Sequence, residues 1–208
     1  MFSDISVSDL VIVLVTMLVS LSVHEAMHAF TAHALGDTTA KEEGRLTLNP
    51  LKHIDIVTTV LLPVILIALH LPPIFIAKPV PFDPERVRYG EFGAALIALA
   101  GPLTNLVLAI LAALFIHVGG LPWDSSTVYA LSLFMQVNIA IFVFNMIPFP
   151  PLDGSRLVYA FAPEPVQRVM YRIESAGFAL TVLIFLLLSP IIVPFVSNIS
   201  QAIYTFLL

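Results

Sequence analysis

SDLVIVLVTMLVSLSVHEAMHAFTAHAL, residues 8–35, carries no charged side chain between Asp9 and Glu25. At 1.5 Å per residue, about 20 residues cross the ~30 Å hydrocarbon core of a bilayer, so this stretch reads as a spanning helix. Four further apolar stretches follow at 56–71, 92–118, 128–147 and 177–208. The third and fourth of the five are long enough to span. The second is shorter and has Pro63 in its middle, which predicts a re-entrant or surface-lying segment. The last is interrupted by Pro190 and Pro194 and reads equally as one kinked helix or two short ones. The expected fold class is an all-α membrane protein: a polytopic helix bundle with a short re-entrant or β-like segment between the first and second full spans.

Composition says the same. The chain of 208 residues is 59% hydrophobic and 11% charged, with mean hydropathy +0.99; soluble domains are roughly 45–50% apolar and about 25% charged. A water-soluble globule is thereby excluded. Nine Lys and Arg against fourteen Asp and Glu leave net charge -5, so no nucleic-acid partner is expected. There is no Cys, which excludes a disulfide scaffold and thiolate chemistry and leaves His nitrogen and carboxylate oxygen as metal ligands. The opening MFSDISVSDL has two Asp and no cation, the wrong charge for a cleaved signal peptide, so the first helix is expected to be retained. One domain over residues 1–208 is expected, with its core at 8–154 and a C-terminal hydrophobic segment at 177–208. Between the first two stretches, residues 45–49 alternate in polarity and predict a short strand.

Within the first helix stands His24-Glu25-Ala26-Met27-His28, an HExxH motif. Residues i and i+4 share one helix face with Cβ atoms about 5–6 Å apart, so both imidazoles can reach one ion. Glu25, rotated around the helix, can stand beside a metal and take a proton from water. A chance match in this composition is about a 1% event, so the setting matters more than the motif. Polar groups inside an apolar helix call for a partner, and a metal ion supplies one. Catalytic zinc usually takes three protein ligands. Candidates for the third are Glu42, Glu43, His53 and Asp153. The two glutamates read as a solvated loop face and His53 as an interfacial residue. Asp153 in NMIPFPPLDG lies just past an apolar helix that Pro148, Pro150 and Pro151 terminate, in a rigid extended turn near the membrane edge.

HEAMH together with NMIPFPPLDG resembles the site-2 protease family of intramembrane zinc metalloproteases, and GRLTLNPLKHID, AKPVPFDP and AGPLTN resemble its compact bacterial members. The likeness runs from His24 to Gly154. It implies His24, His28 and Asp153 as ligands of one zinc ion per chain and Glu25 as general base. It also implies that Asn145, eight residues before Asp153, positions substrate or stabilises an oxyanion. The PDZ and CBS modules of many relatives have no counterpart in these residues.

A shared metal makes a demand that the sequence can meet without the family. The C-terminal ends of the first and fourth stretches must lie on one side of the membrane, so the chain over 36–91 must leave and return on that side. Lys41, Arg45, Lys52, Lys78, Arg86, Arg88, Arg156, Arg168 and Arg172 then all fall on the metal side. By the positive-inside rule the active site faces the cytoplasm of a multi-pass protein in the cell membrane, expected to be a bacterial cytoplasmic membrane.

Gly101, Asn105, Ala109 and Ala113 recur every four residues and read as a helix-packing seam; Asn138 reads as interhelical glue and Trp123 as an interface anchor. His33, His70 and His117 lie near segment ends. The expected partners are the lipid bilayer and a transmembrane segment of a membrane-protein substrate, whose unwound chain is expected to pair with the GRLTLN strand or the re-entrant segment. The expected function is an intramembrane zinc metalloendopeptidase for regulated intramembrane proteolysis. Two rivals predict different outcomes. An HExxH-plus-Glu membrane protease using Glu42 or Glu43 would survive loss of Asp153, and a non-catalytic metal-binding or transport protein would survive Glu25→Gln.

Overall fold

The computed structural model describes residues 7–61, 65, 66, 69, 77–175 and 177–208. Its α-helices are α1 (Val7–Ala34), α2 (Thr39–Glu42), α3 (Glu91–Val118), α4 (Ser126–Asn145), α5 (Asp153–Phe161), α6 (Glu164–Ser175) and α7 (Phe178–Leu207). Four of them are long and apolar enough to cross a membrane, over Val11–Ala34, Glu91–Val118, Ser126–Asn145 and Val182–Leu207. The chain is a polytopic helical membrane protein. Its outward side chains are those that lipid accepts: Val15, Leu111, Leu114, Leu187 and Ile191 are all exposed.

The last apolar stretch is one helix. Pro190 cannot donate to the Leu186 carbonyl four residues back, but the Ser189 hydroxyl does so instead at 2.7 Å, so α7 continues through the proline.

Helix α3 is the centre of the bundle and packs on α1, α4 and α5. Small residues permit it: Ala26, Ala29 and Ala32 of α1 are fully buried, as is Ala109 of α3, with Ala94, Ala95 and Ala98 nearly so. In a bilayer, close backbone approach supplies the packing attraction that water exclusion supplies elsewhere. Toward the C-terminal end of α3, Ala109, Ala112 and Ala113 pack on Met135, Ile139 and Val143 of α4, with Val196, Ile203, Tyr204 and Leu207 of α7 against them.

Contacts at the helix ends set direction. Tyr129 donates to Asp9 at 2.9 Å, and the His117 ring nitrogen meets Leu207 O at 3.0 Å, so the N-terminal ends of α1 and α4 are neighbours, as are the C-terminal ends of α3 and α7. At the other end Arg88 N donates to Leu35 O (2.9 Å) and Asp83 N to the Asp37 carboxylate (2.8 Å). The segment between α1 and α3 therefore leaves and returns on one side, as a single metal requires. Asp37 is the fully buried knot of that return. Burial alone would raise its pKa, but donation from the Thr39 hydroxyl and from the Thr39 and Asp83 amides, with Arg86 nearby, outweighs it and holds the carboxyl below its ordinary value.

Residues 45–49 do not form the expected strand, and no strand occurs among the described residues. Their donors are used locally: Arg45 N bonds Ala40 O, Thr47 N bonds Arg45 O, and Asn49 N bonds the Thr47 hydroxyl. The alternating polarity thus belongs to a folded-back loop. Ile56–Leu61 begins as a π-helical turn. Asp55 caps it, accepting from the Thr58 and Val57 amides and the Thr58 hydroxyl; these bonds hold its carboxyl below the ordinary value. Most of the rest of 56–71, with Pro63 and His70, lies outside the described residues.

Candidate metal centre

His24 and His28 stand one turn apart on α1, and both are buried, at 4% and 8% exposure. Pro148, Pro150 and Pro151 bring the chain out of α4 without another turn of that helix, and Asp153 opens α5 directly opposite. Asp153 Oδ2 is 3.2 Å from His24 Nε2 and 3.5 Å from His28 Nε2, and the two Nε2 atoms are 3.0 Å apart.

The outer nitrogen of each ring is already committed. His28 Nδ1 meets Ile97 O at 2.7 Å, and His24 Nδ1 meets Asn105 Oδ1 at 2.7 Å. A chain of amides establishes which atom of Asn105 faces the ring. Asn138 Nδ2 donates to Phe134 O (2.8 Å) and the Ser20 hydroxyl (2.9 Å), so its Oδ1 receives Asn105 Nδ2 (2.9 Å), which leaves the Asn105 oxygen for His24. A carbonyl and an amide oxygen only accept, so both Nδ1 atoms carry protons and both Nε2 lone pairs point inward.

Two lone pairs and a carboxylate oxygen thus converge, and the buried Oδ2 has no hydrogen-bond donor among the described residues. The cluster needs a positive charge at its centre, either a proton or a metal ion. Its dimensions suit zinc: ligand bonds of 2.0–2.1 Å on a tetrahedron put ligand atoms about 3.3 Å apart. Gly101 keeps the space open. A Cβ there would lie 2.5 Å from His28 Nε2 and 2.7 Å from His24 Nε2.

Among the described residues no other group of three His, Asp or Glu side chains converges. Glu42 is exposed and engages Thr38 and Arg86, Glu43 is exposed, and His53 Nε2 faces Thr47 O. Glu25 accepts from Val80 N at 3.0 Å. Asn145, half-buried at the last position of α4, donates to Ile141 O at 3.0 Å. Sequence reasoning took Gly101 and Asn105 for a packing seam. They are that, but they also border the cluster. The signal for it was their spacing: the four residues that place them on one α3 face match the four between His24 and His28.

The family model described as Peptidase family M50 matches residues 120–189, a range that holds α4, Asn145 and Asp153. The chain is also 35% identical over 178 residues to a protein of Bacillus subtilis (strain 168) named "Putative zinc metalloprotease YwhC", covering 82% of this chain and 78% of that one. The chain belongs to peptidase family M50. Two proteins named "Putative zinc metalloprotease Rip2" are similar to this M50 member as well. That of Mycolicibacterium smegmatis is 31% identical over 184 residues (85% of this chain, 67% of the relative), and that of Mycobacterium tuberculosis H37Rv is 34% identical over 188 (86% and 68%). No solved structure matches. The site-2 protease resemblance drawn from the motifs therefore holds, and a metallopeptidase with a zinc cofactor fits the two imidazoles and one carboxylate of this M50 chain.

Proposed function

We propose that this M50 metallopeptidase hydrolyses peptide bonds in or near transmembrane segments of membrane proteins, at a single zinc ion held by His24, His28 and Asp153. The observation that carries the reading is the convergence of those three donors among helices that span the bilayer. Bound zinc supplies a Lewis acid and makes a water molecule acidic enough to react near neutral pH. Glu25 receives the proton of that water and delivers it to the leaving amine. Its Oε2 is held by Val80 N, and the other carboxylate oxygen is left for this exchange. Asn138 and Asn105 keep the His24 ring in one tautomer and one orientation. Asn145 steadies the substrate carbonyl after releasing Ile141 O. The nine cations lie in the sequence at the metal end of the bundle, which supports a cytoplasm-facing site, and the bacterial relatives support a bacterial cytoplasmic membrane.

The test is zinc per chain together with cleavage of a transmembrane reporter by purified wild type, Glu25→Gln and Asp153→Ala. Glu25→Gln should keep one zinc and lose roughly 10²–10⁴-fold in rate. Asp153→Ala should lose both zinc and cleavage. An Asp153→Ala protein with full zinc and activity would place the third ligand elsewhere, and a Glu25→Gln protein with full activity would sink the hydrolytic role of Glu25.

A further inference from the structure

Residues 77–84, AKPVPFDP, have proline at 79, 81 and 84, and proline has no backbone N–H to give. The few donors of this strap are therefore singly important. Lys78 N bonds His53 O at 2.9 Å, which ties the strap to the loop that follows α2. Val80 N bonds Glu25 Oε2 at 3.0 Å, which ties it to the HExxH helix. Arg45 supplies the third tie, its Nη2 donating to Lys78 O at 2.6 Å and to Pro79 O at 3.4 Å.

The carbonyl of Pro79 and the N–H of Val80 are the two ends of one peptide group. That group is trans, so the two ends point in opposite directions. Arg45 grips it from one side and Glu25 from the other. The arginine is 4% exposed, and its Nε and Nη1 are buried with no hydrogen-bond partner among the described residues. Burying unpaired donors is unfavourable, and an apolar side chain would avoid that penalty only by leaving the Lys78 and Pro79 carbonyls without this donor. What the guanidinium uniquely provides is a charged donor that reaches two successive carbonyls.

We propose that Arg45 is a positioning residue for Glu25: by holding the Lys78 and Pro79 carbonyls, it presents the Val80 N–H to the Glu25 carboxylate and so aims the other carboxylate oxygen at the reacting water. The proposal rests on the reading of Glu25 as general base. A carboxylate on a chain of three torsions needs such a tether, because a displacement of about 1 Å at a reacting group can cost 10²-fold in rate.

The experiment uses the full chain in proteoliposomes, as wild type, Arg45→Met, Arg45→Lys and Glu25→Gln. Amide hydrogen exchange at Val80, zinc per chain, kcat and KM on a transmembrane reporter are measured for each. Arg45→Met should speed Val80 exchange about tenfold or more and lower kcat by roughly 10- to 100-fold, with zinc and KM close to wild type. Arg45→Lys restores one cationic donor and should recover part of both the protection and kcat. Unchanged Val80 exchange in Arg45→Met would overturn the proposal, as would faster exchange with wild-type kcat. A joint loss of zinc, KM and kcat that lysine does not relieve would make Arg45 a structural strut and also overturn it. Wild-type turnover in Glu25→Gln would instead refute the general-base reading, and the exchange data would still report on the Arg45 tie.

Discussion

Helix α3 runs through two environments. Around Gly101 and Asn105 it meets α1 and α4 through polar groups: Ser20, His24, His28, Asn105 and Asn138 are all buried. Two turns on, Ala109, Ala112 and Ala113 pack on Met135, Ile139 and Val143 in a buried apolar cluster. The apolar region tolerates any arrangement that fills the volume, at some loss of packing. The polar region does not, because each amide atom there has one partner that fits it, and one wrong group orphans the next. Stability can reside in the first region, whereas the geometry of the cluster must reside in the second.

Three substitutions test that division, the largest effect first. Gly101→Ala puts a methyl group onto the inward nitrogens of both imidazoles. Since alanine is the better helix former by about 1 kcal/mol, helix content should hold while zinc binding and cleavage fall by more than 100-fold. Circular dichroism and zinc analysis on one sample would check it; retained zinc would mean that the rings can move aside. Met135→Ala, in the apolar region, should cost about 2–5 kcal/mol of stability in detergent unfolding while leaving zinc per chain unchanged. If zinc is lost at unchanged stability, the two regions are not separate. Asn105→Ala removes the acceptor that orients His24 and leaves Asn138 Oδ1 without its donor. Zinc affinity in competition with a chelator should drop about 10- to 100-fold, with a smaller loss of stability than Met135→Ala.

How far the sequence could be read follows from the range of the interactions involved. The spans at 8–35, 92–118 and 128–147 and the placement of His24 and His28 one turn apart depend on hydropathy and helical periodicity over a few turns, and all stood as read. The strand expected at 45–49 failed because an alternating pattern needs a neighbouring edge. The loop used its own donors instead, and a nearby strap carries proline at 79 and 81. The division of 177–208 stayed open in sequence because the outcome turned on one hydroxyl, Ser189 capping the carbonyl that Pro190 leaves unpaired.

The sequence by itself determined a membrane-embedded helical chain with two imidazoles and a carboxylate on one span, because those features are written in local spacing. Only the tertiary structure decided that Asp153, and not Glu42, Glu43 or His53, completes the cluster, that Asn105 orients His24, and that Arg45 reaches the peptide on Glu25. Each of those contacts joins residues from tens to more than a hundred positions apart. The contact between His24 and Asn105 in particular depends on how closely the small residues of α1 and α3 let two backbones approach.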